Sequence, residues 1–390
     1  MRPKLLSLLI CPHCQEPVTL HPFQSSSSDR EDIEAGLLVC NGCGSPYPIA
    51  EGIPRMLPNA FQRLKKFRRQ FSRELSSIEF RESQPGDVRR FEQLHQLTAR
   101  AFGYEWNTYR VTSREEDLVT LFWLTGADPK LYDKLSVTDV FTFYPTEADL
   151  AKVDGSQLSG KTVLDIGCGM GKYLAIVSEY AETVVGLDLS EALVRARSNL
   201  KDRTNVHLVQ GNILAPPLKA GFADFGYSVG VLHHTPDTHA AFLKSSTLIK
   251  PGGKLAVWLY PKEREPNPYS DWVHWVQDDL VRPVTCRMPP RVLRMFCSIL
   301  GRLTFVRDRA VARHQVTKSR LSYQIAKYTG AVAVGSHRDP EIAAFLNFDW
   351  YSPQYRSYHL EEEVEDWYRE AGFDNVRVLP QRVSAIGTRL

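Results

Sequence analysis

Lys161–Tyr173 reads KTVLDIGCGMGKY, and shortly after it Thr183–Ser190 reads TVVGLDLS. Thr162 to Ile166 is a short apolar run closed by Gly167, Gly169 and Gly171, the pattern of a buried parallel strand that turns sharply into a helix. A second apolar run, Val184 to Leu187, ends on Asp188, which lies 23 residues beyond Asp165. The two runs make a βαβ unit, and acids at such strand ends line the crevice of a doubly wound sheet where nucleotide-like ligands bind. The spacing excludes a dinucleotide fingerprint, because G-x-G-x-x-G would require glycine where Lys172 stands. The run is instead D-x-G-x-G-x-G. An acid two residues ahead of the first glycine repels a pyrophosphate but suits a ligand carrying an amino group and a sulfonium. Asp188 can accept both hydroxyls of a ribose. The alternative is a glycine turn that merely permits tight helix–strand packing.

On these residues the sequence resembles the class I S-adenosylmethionine-dependent methyltransferases. The resemblance implies that Asp165, Gly167, Cys168, Gly169, Gly171 and Asp188 hold the methyl donor. It continues downstream. Val206 to Val209 reads as the third strand, ending in Gly211-Asn212. There the family carries a polar group for the adenine amine, which implies that role for Asn212, with Leu189 and Ile213 sandwiching the ring. Phe222 to Val229 reads as the fourth strand and leads into Gly230-Val-Leu-His-His-Thr-Pro-Asp237. In similar enzymes this strand end, with Ser228, passes beside the methionine half of the cofactor and faces the acceptor. His233 and His234 thus stand where a proton would leave, and imidazole can act as general base; shaping the turn is the other reading. LIKPGGKLAVWLY, residues 248–260, is a further match.

The expected fold is therefore α/β: a Rossmann-like seven-stranded sheet with an antiparallel last strand, plus an N-terminal zinc ribbon and a helical insertion. The expected divisions are residues 1–58 for the ribbon, 59–155 for a helical linker and cofactor lid, and 156–390 for the catalytic domain, with an insertion at 261–346.

The ribbon rests on Cys11-Pro-His-Cys14 and Cys40-Asn-Gly-Cys43, two C-x2-C knuckles able to close a tetrahedral site for structural Zn2+. The remaining cysteines, Cys168, Cys286 and Cys297, are scattered, and an odd total of seven argues against a disulfide framework. The loop between the knuckles looks too polar for a core of its own, so metal ligation would supply much of the folding free energy. The region resembles zinc ribbons found beside or fused to methyltransferases.

Composition is that of an ordinary soluble chain: 390 residues, 43% hydrophobic, 24% charged, net charge +3. Such a charge gives no global preference for nucleic acid. No apolar run approaches the roughly 18 to 20 residues of a membrane span, and MRPKLLSLLIC lacks a cleavage site, so a cytoplasmic location is expected. Phe61, Leu64, Phe67, Phe71, Leu75 and Ile78 fall on one helical stripe, opposite a cationic face from Arg63 to Arg73. That face can hold RNA phosphate or anionic lipid, or be a solvated surface. Phe102, Tyr104 and Trp106 are candidate lid residues or core.

Within the insertion, Arg287 to Arg320 holds nine Lys or Arg residues against the single acid Asp308. Basic helices of this kind suit an acceptor pocket, peripheral membrane contact or RNA. The expected activity is methyl transfer to a small-molecule, lipid-linked or glycan-precursor acceptor; the alternative is an RNA base methyltransferase that grips RNA through the ribbon and basic helices.

Overall fold

The computed structural model describes residues 1–25, 32–109, 156–265, 267–334, 339–379 and 382–390. The serine-rich stretch from residue 26 and residues 110–155 of the expected linker and lid lie outside them. The chain divides into two compact units: the described residues of 1–94, 156–262 and 357–390, and those of 95–109 and 263–356.

In the first unit the ribbon is an antiparallel sheet of β1 (Val18–Ser25), β2 (Ile33–Cys40), β3 (Pro46–Ala50) and β4 (Ile53–Pro54), in that order. The apolar stripe that follows forms three short helices rather than one, Ala60–Arg63, Lys65–Gln70 and Ser72–Ser76. Breaks at Leu64 and Phe71 separate them, where ψ moves to 57° and 32°. Phe61, Phe67, Phe71 and Leu75 stay buried because they cover Ala35, Leu37 and Val39 of β2. Covering the sheet outweighs continuing the helix, since each buried side chain contributes about 1.5–3 kcal/mol.

The larger sheet has the order β10-β11-β9-β8-β5-β6-β7. Its strands are β5 (Thr162–Ile166), β6 (Thr183–Asp188), β7 (Val206–Gln210), β8 (Ala223–Val229), β9 (Ile249–Trp258), β10 (Phe373–Val378) and β11 (Ser384–Arg389). β5 to β9 run parallel, and β11 pairs antiparallel with both β9 and β10. Val163, Leu164, Val184 and Val185 are fully buried, as expected of parallel strands covered on both faces.

β7 would be an open edge. The ribbon closes it: Arg55 bridges Gln210 in parallel, and the Met56 amide donates to the Gln210 carbonyl at 2.8 Å. Further along, Leu9 bridges Leu218, and the Lys219 amide donates to the Leu8 carbonyl at 2.9 Å. Leu5, Leu9, Ile49 and Met56 share one buried cluster with Leu164, Ile166, Leu187 and Val209. Arg197 ties the same joint by donating to Asp32 at 2.7 Å and Glu34 at 3.1 Å. Burial supplies most of the cohesion, because partly exposed ion pairs contribute only about 0–1 kcal/mol each.

The second unit is helical: Pro85–Thr108 from His95 onward, then Pro268–His274, a π-helical turn at Trp275–Val281, Arg282–Thr285, Pro290–Thr317, Arg320–Gly330 and Pro340–Tyr351. Asn267, Ser319 and Asp339 cap three of these helices by accepting from first-turn amides. Leu293, Cys297 and Leu300 of the longest helix pack with Phe348, Tyr351 and Tyr109. Tyr104 and Trp106 join this core, against Phe348 and Phe345.

Met56→Ala removes a side chain only 1% exposed from the shared core. It should cost about 2–5 kcal/mol in urea unfolding. Lys4→Ala, whose pair with Glu182 is 56% and 63% exposed, should shift stability by less than about 0.5 kcal/mol.

Candidate functional site

β5 ends in a bend built on left-handed backbone, with φ of 81° at Gly167, 52° at Gly169 and 82° at Gly171. A side chain is excluded as well as strained at Gly167, because a Cβ there would lie 2.4 Å from Val231. Val231 opens the turn Leu232–His234 that follows β8. The two loops at the carboxyl ends of neighbouring strands thus pack directly on one another.

Asp188 fastens this bend. Its Oδ2 accepts from the Gly169 amide at 2.8 Å, and its Oδ1 accepts from the amide and hydroxyl of Ser190, both at 2.7 Å. Three protein donors occupy three of the roughly four lone-pair positions of a carboxylate. Burial raises the Asp188 pKa and these hydrogen bonds oppose the rise.

Asp165 is more deeply enclosed, 2% exposed, and accepts from the Tyr227 hydroxyl at 3.0 Å. Burial, with the negative charge of Asp188 adding to it, pushes its pKa up to about 8 against the opposing pull of Tyr227 and Lys172. A carboxyl held near neutrality in this way is poised to ionise when a cation arrives. Tyr227 is a residue the motif reading missed; the register that sets it opposite Asp165 across β5 and β8 has no local signal in the sequence.

The other expected residues gather around the same strand ends. Leu189 is half-buried and Ile213 is buried. The Gly211 amide donates to the Asp188 carbonyl at 2.9 Å, and a Cβ on Gly211 would meet the Pro217 ring at 2.7 Å. The Asn212 Oδ1 accepts from the Leu214 amide at 3.0 Å, so this side chain also caps its own turn. Cys168 is buried and its thiol is pushed well above its usual pKa by burial, which makes it packing rather than nucleophile. Ser228 is fully buried and donates to the Ile166 carbonyl at 3.2 Å, bracing β8 against β5.

His233 is fully buried and its ring stacks on Tyr260 with centroids 3.8 Å apart. Trp258 meets it edge-on at 6.3 Å, and His234, 4% exposed, at 4.3 Å. The result is an aromatic wall beside the glycine bend. Ser357 closes it from the C-terminal segment, its amide donating to the His233 carbonyl at 3.1 Å.

A second network, also missed from sequence, holds the loop after β6. Gln210 donates to the Leu189 carbonyl at 3.1 Å and to Glu191 at 3.3 Å. Arg55 of the ribbon donates to Gln210 at 3.2 Å and to Glu191 at 2.8 Å, with its side chain 4% exposed. The residues flanking Asp188 are therefore tied to the ribbon.

The four knuckle cysteines converge. Their sulfurs all lie within 4.8 Å of one another, with Cys11 to Cys43 at 3.7 Å and Cys14 to Cys40 at 3.3 Å. Those separations exclude disulfides, whose sulfurs lie about 2.05 Å apart. They suit thiolates around a tetrahedral zinc, which at about 2.3 Å per bond sit about 3.8 Å from each other. Gln15 and Gly44 take left-handed φ of 65° and 75° to close the two knuckles, and their amides donate to the Cys11 and Cys40 carbonyls. His13 is exposed at the knuckle surface. One zinc per chain is expected by metal analysis. Cys14→Ser with Cys40→Ser should lose it and expose the amides of β2 and β3 to hydrogen exchange.

Residues 164–257 match the family model described as methyltransferase domain, and residues 2–52 match that of Trm112p-like protein. A tRNA U34 carboxymethyltransferase from Pseudoalteromonas translucida is 39% identical over 26% of this chain and 32% of its own length. A ubiquinone biosynthesis O-methyltransferase from Coxiella burnetii is 33% identical over 25% of this chain and 43% of its own. Among solved structures, a complex of the Haloferax volcanii Trm112 methyltransferase activator with a methyltransferase matches at 23% identity and TM-score 0.28, covering 43% of this chain and 67% of that one. The chain spans between 16% and 61% of the length of the curated relatives it matches here. Among the described residues no helix is long and apolar enough to cross a membrane. The chain carries a class I S-adenosylmethionine-dependent methyltransferase domain joined to an N-terminal four-cysteine zinc ribbon of the Trm112p-like family.

Proposed function

We propose that the whole protein transfers a methyl group from S-adenosylmethionine to a small-molecule, lipid-linked or glycan-precursor acceptor. The observation that carries this is the pair of carboxyls around the glycine bend: Asp165 buried with a pKa near 8, Asp188 fastened by three donors. When bound, S-adenosylmethionine would supply an electrophilic methyl group on a sulfonium. Asp165 would face its cationic amino-acid end, and Asp188 would use its remaining lone-pair position for a ribose hydroxyl. Leu189 and Ile213 would flank the adenine, with Asn212 at its polar edge. Gly167, Gly169 and Gly171 give the backbone its close approach.

The residues need do little more than align donor and acceptor, because orientation alone can be worth roughly 7 to 11 kcal/mol. His233 and His234, both buried, would form the wall at the methyl-bearing end, where either imidazole could take a proton.

The relatives' names divide between RNA and quinone acceptors. The charge of the ribbon favours the latter. Residues 1–58 hold six acids against four Lys or Arg residues, and Arg55 is committed to Glu191 and Gln210. A polymer clamp would need the opposite balance.

Two measurements test this. Binding of a cation beside Asp165 releases the proton that burial retains, so donor affinity should rise as pH approaches about 8, by up to about tenfold per unit, and level above it. Asp165→Asn should remove that component and the accompanying proton release in calorimetry, leaving only the titration of the ligand itself. Cell extract incubated with enzyme and methyl-labelled donor should then take up label in the organic-extractable fraction. Label confined to RNA would overturn the acceptor assignment.

A further inference from the structure

We propose that the outward face of the helix Pro290–Thr317 docks on an anionic membrane surface. The inward side of this helix is accounted for: Leu293, Cys297, Leu300 and Thr304 are buried at 4% exposure or less. The opposite side is not polar. Val292, Met295, Ile299 and Val306 recur at spacings of three, four and seven and are 49%, 70%, 56% and 48% exposed. These positions lie on one face, and the row they form runs about 21 Å along the axis. Four large apolar side chains in one exposed row are unusual for a surface that meets only water.

The same face carries the charge. Arg291, Arg302, Arg309 and Arg313 are all exposed and fall within or beside the apolar row, while Arg294 lies off it, over the Tyr109 ring at 5.7 Å. No acid interrupts them: the only one in the helix, Asp308, is turned aside and accepts from Arg307 at 2.9 Å. An apolar row bordered by arginines is the composition of a helix that lies in the plane of the lipid interface, its side chains among the upper acyl carbons and its guanidiniums at the phosphates. RNA would satisfy the arginines alone, and against a polyanion the exposure of Met295 and Ile299 would gain nothing. A membrane uses both halves of the pattern. This assignment is independent of the reaction proposed above, since the test reads binding and not methyl transfer.

The full chain is floated with vesicles of phosphatidylcholine alone, or of equal parts phosphatidylcholine and phosphatidylglycerol. The wild-type protein should float with the mixed vesicles, more weakly with the neutral ones, and less as salt rises. Met295→Glu with Ile299→Glu, and separately Arg302→Ala with Arg309→Ala, should each weaken flotation at least about tenfold. All four positions are exposed, so circular dichroism should be unchanged. Absence of wild-type flotation overturns the proposal, as does flotation indifferent to the glutamate pair. Binding to transfer RNA that needs the arginines but not Met295 or Ile299, without vesicle binding, would overturn it in favour of a polyanion.

Discussion

The first unit depends on the closing of one sheet edge. A parallel sheet leaves its outermost strand with unpaired amides and carbonyls, and here β7 is that strand. The ribbon supplies the missing partner at Gln210 and continues the hydrophobic core past the edge, through Met56, Leu9 and Leu5. Metal ligation and sheet burial are therefore consecutive parts of one folding problem. The four thiolates fix the knuckles, the knuckles fix β2 to β4, and β4 delivers Arg55 and Met56 to β7.

That joint reaches the carboxyl ends of the parallel strands. Gln210 is paired with Asp188 across β6 and β7, and its side chain holds the loop that begins at Leu189. Arg55 steadies Gln210 and Glu191 together. Asp188 in turn fastens the glycine bend through Gly169. Ribbon, edge strand, carboxylate and bend form one chain of contacts, linked by hydrogen bonds of ordinary length. The ribbon is a structural member of the strand-end region around Asp188 rather than an appendage.

Much of this was legible in the sequence, for definite reasons. The D-x-G-x-G-x-G run and Asp188 are local, and the three closely spaced glycines take the positive φ that such a bend requires. Cysteine pairs at a spacing of two announce a metal site in the same way. What the sequence did not reveal was long-range. Tyr227 reaches Asp165 only through strand register, and Arg55 reaches Gln210 across 155 residues. The stripe from Phe61 to Leu75 was legible as buried but not as broken, because the breaks answer to the shape of the sheet it covers and not to any Gly or Pro within it. Asn212 and Ser228 were picked out as ligand groups; their engagement with Leu214 and Ile166 came only with the folded backbone.

The most direct measurement is the affinity for S-adenosylmethionine, by calorimetry, before and after zinc is withdrawn by a chelator and then restored, with metal content followed in parallel. Loosening the ribbon should free Arg55 and Gln210 and slacken the loop around Asp188, so affinity is expected to fall at least about tenfold and to return with zinc. Unchanged affinity in demonstrably zinc-free protein would contradict the coupling of ribbon to crevice.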